Sequence, residues 1–444
     1  GEHCYYLDLK KLLDGNDFED AIFNLRATTK WVKEHENFEV QAQELILPLS
    51  VLKKGATGFF EWLFEVTQPM PPTERASMTD ALKKIHEQWI MKIDDYHFPV
   101  VTLSDETEPD ALCTIFETLN RTGVKLSVFE LLTARFWPQK INLRDLWEKA
   151  RDEYPILVNY DADPIYILQA ISLACRKAPS CKRSDVLNLT ATDINEWWSK
   201  VVIGLKTGLE ILRDDCKVIQ PKWLPYQTML APLAAVLAKV GVTKTAEAGV
   251  HREKLKRWFW CSAFGQVYES SPNSKSAKDV LELTEWLAGG ALPESVSTLK
   301  FDPKALRDIT PRQRAIYRGS ICLILTNGAR DFHTQGIITS ILMNEEGIDD
   351  HHIFPSDYLE KIKGIKITRK RDCILNRTLI DRTTNQIINN RAPSEYLEDI
   401  RKTPDFPFDA VLQSHWLPIG ADSPLLNNDY EKFLDWREQR LWQE

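Results

Sequence analysis

The spacing of apolar and polar positions divides the chain into an opening of mixed structure, a long helical stretch and a final segment of different character. Residues 5–7 read as a short strand, Asp14-Gly15-Asn16 as a turn, and residues 98–103 as a second extended stretch. Beyond them Ser104 is placed to cap a helix whose Leu112, Ile115, Phe116 and Leu119 share one face. Asn120-Arg121-Thr122-Gly123 ends that helix, with Gly123 suited to a left-handed C-terminal position. Ser127 followed by Glu130 is a capping box, so a further helix is expected over residues 127–137. Helical spacing then predicts residues 145–177, 192–213, 224–240, 252–268 and 312–325, with breaks near 241–249, 270–276 and 289–303. The stripe Met229, Leu230, Leu233, Val236 and Leu237 reads as core. At Ile348 the pattern changes: residues 348–355 and 373–381 look like strands, and residues 383–390 look like the opening of a helix.

A chain of 444 residues is expected to hold two or three domains. Its 43% hydrophobic and 27% charged residues are those of a globular protein, and no tract is of low complexity. No apolar run approaches the roughly 18 residues of a membrane helix, and no signal-peptide pattern opens the chain, so no membrane partner is expected and the location expected is cytoplasmic. The eight cysteines are scattered without a C-x-x-C pair, which favours reduced thiols and argues against a zinc knuckle.

The net charge of -8 excludes a protein that coats nucleic acid with its whole surface. Residues 361–391 depart from that balance. Lys361, Lys363, Lys366, Arg369, Lys370, Arg371, Arg377, Arg382 and Arg391 face only Asp372 and Asp381 in the sequence, nine positive charges against two, or +7. Eight of them, from Lys361 through Arg382, are candidate DNA contacts. A second basic and aromatic stretch, Arg252, Lys254, Lys256 and Arg257 before Trp258, Phe259 and Trp260, reads instead as a helix with core anchors and a basic outer face.

Strand, loop, strand, helix with histidines and asparagines in one 40-residue window supplies what phosphodiester hydrolysis needs: a base, a cation and a group to orient the base. His352 is the candidate general base, since an ordinary imidazole titrates near about 6.5. Asn376 is the candidate to orient it. His351 and Asn385 are candidate ligands for Mg, Mn or a similar ion that keeps several waters, with Asn389 one helical turn further on. In a regular strand His351 and His352 point to opposite faces, and Asp350, which shares a face with His352, then replaces His351 as ligand.

HHIFP at residues 351–355, NRTLID at 376–381 and TTNQIINNRAPSEYL at 383–397 resemble the nuclease half of GmrSD-type, modification-dependent (type IV) restriction endonucleases. SHWLP at 414–418 and the final helix over 429–441 resemble the same family. IFETLNRTGVKLSVFEL at 115–131 looks like the second block of the family's ParB-like domain, which binds and hydrolyses a nucleotide. That resemblance makes Asn120 and Gly123 weak nucleotide-binding candidates, although a plain helix stop is the favoured reading. The D-G-x-Q-R-type motif that opens the family's domain has no match, so the resemblance implies an N-terminally shortened chain and assigns nucleotide hydrolysis to a full-length protein.

The expectation is therefore a mainly helical α+β protein: the C-terminal part of a ParB-like domain over 1–140, a helical scaffold over 141–330, and an HNH (ββα-metal) nuclease module with a helical tail over 331–444. Its expected function is metal-dependent cleavage or nicking of DNA in an anti-phage restriction system, with phage or modified DNA as substrate and a possible partner subunit. The rival readings are a non-catalytic DNA-binding sensor, a nucleotide-driven switch acting with a partner nuclease, and a ribonuclease.

Overall fold

A computed structural model of the chain describes residues 3–15, 18–94, 127–241, 246–339 and 347–443, together with positions 102 and 115. The extended stretch expected at 98–103, the helix expected after Ser104, and Asn120 and Gly123 fall outside these residues, apart from Thr102 and Ile115. The chain is mainly helical and divides into two compact units, residues 1–106 and 107–444.

In the first unit β1 (His3–Asp8) is the centre of a three-stranded antiparallel sheet, flanked by β2 (Ile22–Arg26) and β3 (Ile46–Pro48). Alternation along β1 sends Leu7 to one face and Tyr6 to the other. Leu7 and Leu47 join a core with Phe59, Trp62 and Val66 of the helix Ala56–Thr67 and Leu82 and Ile85 of the helix Pro72–Ile85. Tyr6 and Ile46 form a smaller core with Val32, and the Tyr6 ring meets Trp31 edge-on at 4.9 Å.

The second unit is built on helices. Ser127 caps the helix Val128–Phe136 in the expected capping box, its hydroxyl accepting from the Glu130 N–H at 3.2 Å while Glu130 accepts from the Ser127 N–H at 2.8 Å. The expected helix over 145–177 is three pieces, Leu143–Glu153, Pro155–Asn159 and Ile165–Cys175. Pro155 and Pro164 divide it, because the residue before a proline is pushed out of the helical region, as Tyr154 is with ψ 85°. Pro225 does the same at Leu224, so the helix expected from 224 begins only at Leu230 after two 3₁₀ turns. Trp258 and Phe259 are core anchors of the helix Ala246–Phe264, whose Arg252 bonds Asp215 at 2.9 Å and whose Lys256 pairs with Glu253 at 2.7 Å, as expected for a basic outer face.

The final segment has the expected order. β4 (Ile348–His352) pairs antiparallel with β5 (Arg377–Asp381), in a register that sets His352 opposite Arg377, and the helix Arg382–Ile388 follows at once. The connection between the strands is not a bare loop, for it folds into helices at Ser356–Lys361 and Thr368–Arg371. The two compact units, 1–106 and 107–444, are a coarser division than the three domains expected over 1–140, 141–330 and 331–444. One continuous core joins the helix Arg314–Thr326 to β5 and to the final helix Tyr430–Trp442. Among the described residues no helix is long and apolar enough to cross a membrane.

The helix Ala191–Asp214 crosses Leu230–Val240 closely at Gly204, where a Cβ would stand 2.5 Å from the Ala234 carbonyl oxygen. Gly204→Ala is therefore expected to destabilise the protein by about 1–3 kcal/mol, through overpacking against backbone that cannot swing aside. Urea denaturation of the variant measures it, and unchanged stability would show that the helices can separate freely.

Candidate functional site

The site is built on the β4–β5 hairpin and the helix that follows it. Regular pairing gives β4 two chemical faces, with Asp350 and His352 on one and Asp349 and His351 on the other. The opposite-face geometry anticipated for adjacent histidines is thus present. It does not make Asp350 the neighbour of Asn385, however, because the helix Arg382–Ile388 lies on the His351 side.

On that side His351 is buried, and its Nδ1 is 2.7 Å from Asn385 Oδ1. Asn385 in turn donates from Nδ2 to Asp349 at 3.1 Å, which fixes the amide with its oxygen toward the histidine. Burial drives the His351 imidazole down to about 3, against the opposing pull of the Asn385 hydrogen bond, so the ring is neutral at any physiological pH. Its Nε2 is buried without a hydrogen-bond partner. A neutral imidazole whose Nδ1 lies beside an amide oxygen sets one nitrogen and one oxygen donor side by side, a pair that fits a divalent cation of the Mg or Mn type drawing its remaining ligands from water, with Nε2 then carrying the ring proton. Among the described residues no group of three His, Cys, Asp or Glu side chains gathers, so an all-protein cage of the structural zinc kind is not what these residues offer.

On the other face His352 Nε2 lies 2.7 Å from Asp372 Oδ1. A carboxylate only accepts, so Nε2 carries the proton and donates it, and the Nδ1 lone pair is left available on a ring that is 22% exposed. Burial, reinforced by the Arg377 and Arg371 cations, lowers His352 to about 4, while Asp372 opposes the shift. Arg377 donates to the same Asp372 oxygen at 2.9 Å and to the Asp350 carbonyl oxygen at 3.2 Å. The Asp350 carboxylate receives the Tyr317 hydroxyl and lies 3.5 Å from Arg377. Burial raises Asp350 and Tyr317 alike. A carboxylate already facing an arginine is poorly placed to hold a second cation, and Asp350 is accordingly a brace for the hairpin.

Several assignments made from the sequence change. Asn376 does not orient His352, because its amide is spent on backbone: Oδ1 accepts from Phe354 N at 2.8 Å, and Nδ2 donates to Phe354 O at 3.0 Å and Arg371 O at 2.9 Å. It fixes the turn out of β4. Asn389 does not extend the Asn385 face, for the helix stops at Ile388 and Asn389 turns the chain at φ 52°. Arg371 is buried, donating to the Ile365 carbonyl oxygen at 3.0 Å and pairing with Glu360 at 2.8 Å, so it and the buried Arg377 are structural cations rather than surface contacts. Lys361 pairs with Asp357 at 2.7 Å, Arg369 with Asp308 at 3.0 Å, and Arg382 approaches Asp349 at 3.5 Å, all from exposed positions. Lys363, Lys366 and Lys370 are exposed on the same connection.

The residues missed from the sequence are the supporting ones. Asp372 and Asp349 hold His352 and Asn385, and the only signal was their place in the string, an acid closing the basic run and an acid two positions before His351. Asp331 accepts from His333 N, Thr334 N, Asp381 N and the Thr384 hydroxyl at 2.7–2.9 Å, and these bonds outweigh its burial and hold it low. His415, part of the SHWLP motif, is fully buried between the Thr378 hydroxyl at 2.6 Å and the Arg330 carbonyl oxygen at 2.6 Å, and burial lowers it to about 4. Buried Arg437 donates to Leu375 O at 2.7 Å and His415 O at 3.2 Å.

Fold and site together define a mainly helical protein that carries a hairpin–helix unit with a neutral His–Asn pair on one face and a His–Asp pair on the other. The family described as GmrSD restriction endonuclease, N-terminal domain, matches residues 7–137, which supports kinship with the GmrSD type for that part of the chain. Over 426 residues the chain is 26% identical to an uncharacterized protein of Methanocaldococcus jannaschii, MJ0686, a match that covers 90% of this chain and 68% of the other.

The buried neutral histidines make stability depend on pH. Their folded values, about 3 for His351 and about 4 for His415, lie below the ordinary 6.5, so between those limits the unfolded chain binds more protons. Their contribution is complete above pH 6.5 and is lost as pH falls, by about 1.4 kcal/mol per pH unit for each histidine. Urea titrations at pH 7.5, 6 and 5 in EDTA are expected to show that decline, and a His415→Asn variant a shallower one. Flat stability across the window would contradict the burial of both rings.

Proposed function

We propose that the chain is a metal-dependent DNA endonuclease of a restriction system, with the β4–β5 hairpin and the helix Arg382–Ile388 acting as an HNH-type ββα-metal module. The observation that carries this reading is the division of labour across β4: His351 meets Asn385 on one face, and His352 meets Asp372 on the other. The similarity of residues 7–137 to the N-terminal domain of GmrSD restriction endonucleases supports a restriction role and DNA as substrate. The ParB-like character of the first part, phage or modified DNA as the target, and a partner subunit of a defence system follow from the same kinship.

In this mechanism His352 Nδ1 takes a proton from the water that attacks phosphorus in line, and Asp372 fixes the tautomer and stabilises the imidazolium that results. Arg377 holds Asp372 in place. A divalent cation bound by His351 and Asn385 would neutralise charge on the phosphate and on the leaving oxygen. Asp349 keeps the Asn385 oxygen directed toward His351. The low value of His352 leaves its ring unprotonated throughout the neutral range.

Supercoiled plasmid incubated with the protein and Mg or Mn is expected to be nicked or linearised, and EDTA to stop the reaction. His352→Ala is expected to lower the rate by about 10²–10⁴-fold while DNA binding persists. Cleavage undiminished in that variant would remove His352 as the base. Binding without any cleavage, by either protein and with either metal, would favour a sensor that grips DNA.

Exposed Lys363, Lys366 and Lys370 are expected to contact phosphates. Affinity for duplex DNA should then fall with salt by a log–log slope of about 0.9 per phosphate neutralised, and replacing the three lysines by Ala should reduce the slope by up to about 2.7. An identical slope in the triple variant would take this connection out of the interface.

A further inference from the structure

The connection between β4 and β5 includes residues 361–371, KIKGIKITRKR, which hold six basic residues and no acidic one. Among these cations Ile362 is 72% exposed and Ile367 58% exposed. Single apolar side chains scattered over a surface are ordinary. These two stand five positions apart, and the backbone between them is pinned. Gly364, at φ 73° with open space around it, turns the chain, and Ile365 folds back against the core with its N–H on the Leu359 carbonyl oxygen at 2.9 Å. Buried Arg371 donates to the Ile365 carbonyl oxygen at 3.0 Å and pairs with Glu360 at 2.8 Å. The Tyr430 hydroxyl holds Lys370 O at 2.6 Å. The two isoleucines are thus carried outward on a braced turn.

Charge narrows what can cover them. Lys361 and Arg369 are engaged by Asp357 and Asp308, and Arg371 is turned inward. Lys363, Lys366 and Lys370 are exposed, and none of the three is in an ion pair with a described residue. The partner must therefore offer anions to three lysines and an apolar surface to two isoleucines at once. A second copy of this turn would set cations against cations, and a small anion would leave the isoleucines wet. Duplex DNA supplies both, with phosphates outside and stacked base faces within reach between them. A lipid surface has a similar polarity, but the turn runs directly into Asp372, which holds His352, so whatever it grips lies beside the hairpin's own chemistry.

We propose that Ile362 and Ile367 are an apolar wedge that enters the base stack of duplex DNA while the flanking lysines hold the phosphates, a proposal that rests on the reading of this chain as a DNA endonuclease. Isoleucine is among the side chains that part a base step and kink the duplex when basic residues anchor it on either side. Its branched Cβ leaves few rotamers to lose on insertion, and the braced backbone adds little ordering cost. Parting a step costs least where stacking is weakest, so the wedge favours deformable steps such as TA over stiff ones. It selects sites by how readily they open, without a hydrogen bond to any base edge.

The test is binding of the full chain, in EDTA so that cleavage plays no part, to a duplex carrying 2-aminopurine in a central TA step, whose fluorescence rises when the base unstacks. A rise on binding is expected. The double variant Ile362→Ser, Ile367→Ser, which alters only exposed side chains, should lose the rise and bind about tenfold more weakly at every salt concentration. Its log–log salt slope should match the wild type, because the lysines remain. Ile362→Leu with Ile367→Leu, which keeps the apolar bulk, should retain the rise. Binding without a rise, or a rise undiminished in the serine variant, overturns the wedge and leaves the DNA reading standing. No binding by the wild type at low salt overturns both. Binding to phosphatidylserine vesicles that the serine variant loses, with no rise on DNA, would assign the isoleucines to a lipid surface and overturn the proposal. Self-association lost in that variant, again with no rise, would assign them to a second copy and overturn it equally.

Discussion

The molecule's chemistry depends on one constraint: β5 is buried at every position although its sequence, Arg-Thr-Leu-Ile-Asp, mixes polar with apolar residues. A buried polar group without a partner costs far more than a satisfied one returns, so the three polar side chains dictate what must surround them. Arg377 demands Asp372 and the backbone of Asp350; Thr378 demands His415; Asp381 spends its carboxylate on the N–H groups of Thr383 and Thr384, starting the helix that bears Asn385. The site is what remains when those demands are met. Its histidines are neutral for the same reason, because the environment that forces polar groups to pair also disfavours an isolated positive charge.

The two faces of β4 allow adjacent residues to differ in kind. His351 is sealed and neutral beside an amide; His352 is partly open and backed by a carboxylate. Had the strand bulged so that both rings shared a face, each would have sat in the field of the same cations and carboxylates. Separation by the pleat gives each ring its own surroundings one residue apart.

What could be read from the sequence was local. Capping boxes, helical stripes and the strand–loop–strand–helix order are patterns within a few residues, and Ser127, Glu130, Trp258 and the final helix stand where the pattern put them. His351 and Asn385 were legible as a pair because hairpin geometry brings neighbouring elements together whatever else the fold does. Asp372, Asn376 and Arg371 were not, since the direction of each side chain is settled by which segment packs on it. An asparagine before a strand has the same composition whether it holds a histidine or a turn, and a basic run does not reveal which arginine is folded inward. The prolines at 155, 164 and 225 were visible, yet helical spacing continues across them and conceals the break. Apolar spacing reports that a face is buried and not which partner buries it.

Arg437 lies 62 residues beyond the Leu375 carbonyl that it satisfies, and 22 beyond that of His415. A hairpin just emerged from the ribosome therefore has its histidines but not its innermost support. During synthesis the strands wait for several seconds, at about 5–20 residues per second, before the guanidinium that closes their base arrives. Such an interval leaves the hairpin without its innermost support until most of the surrounding fold is in place.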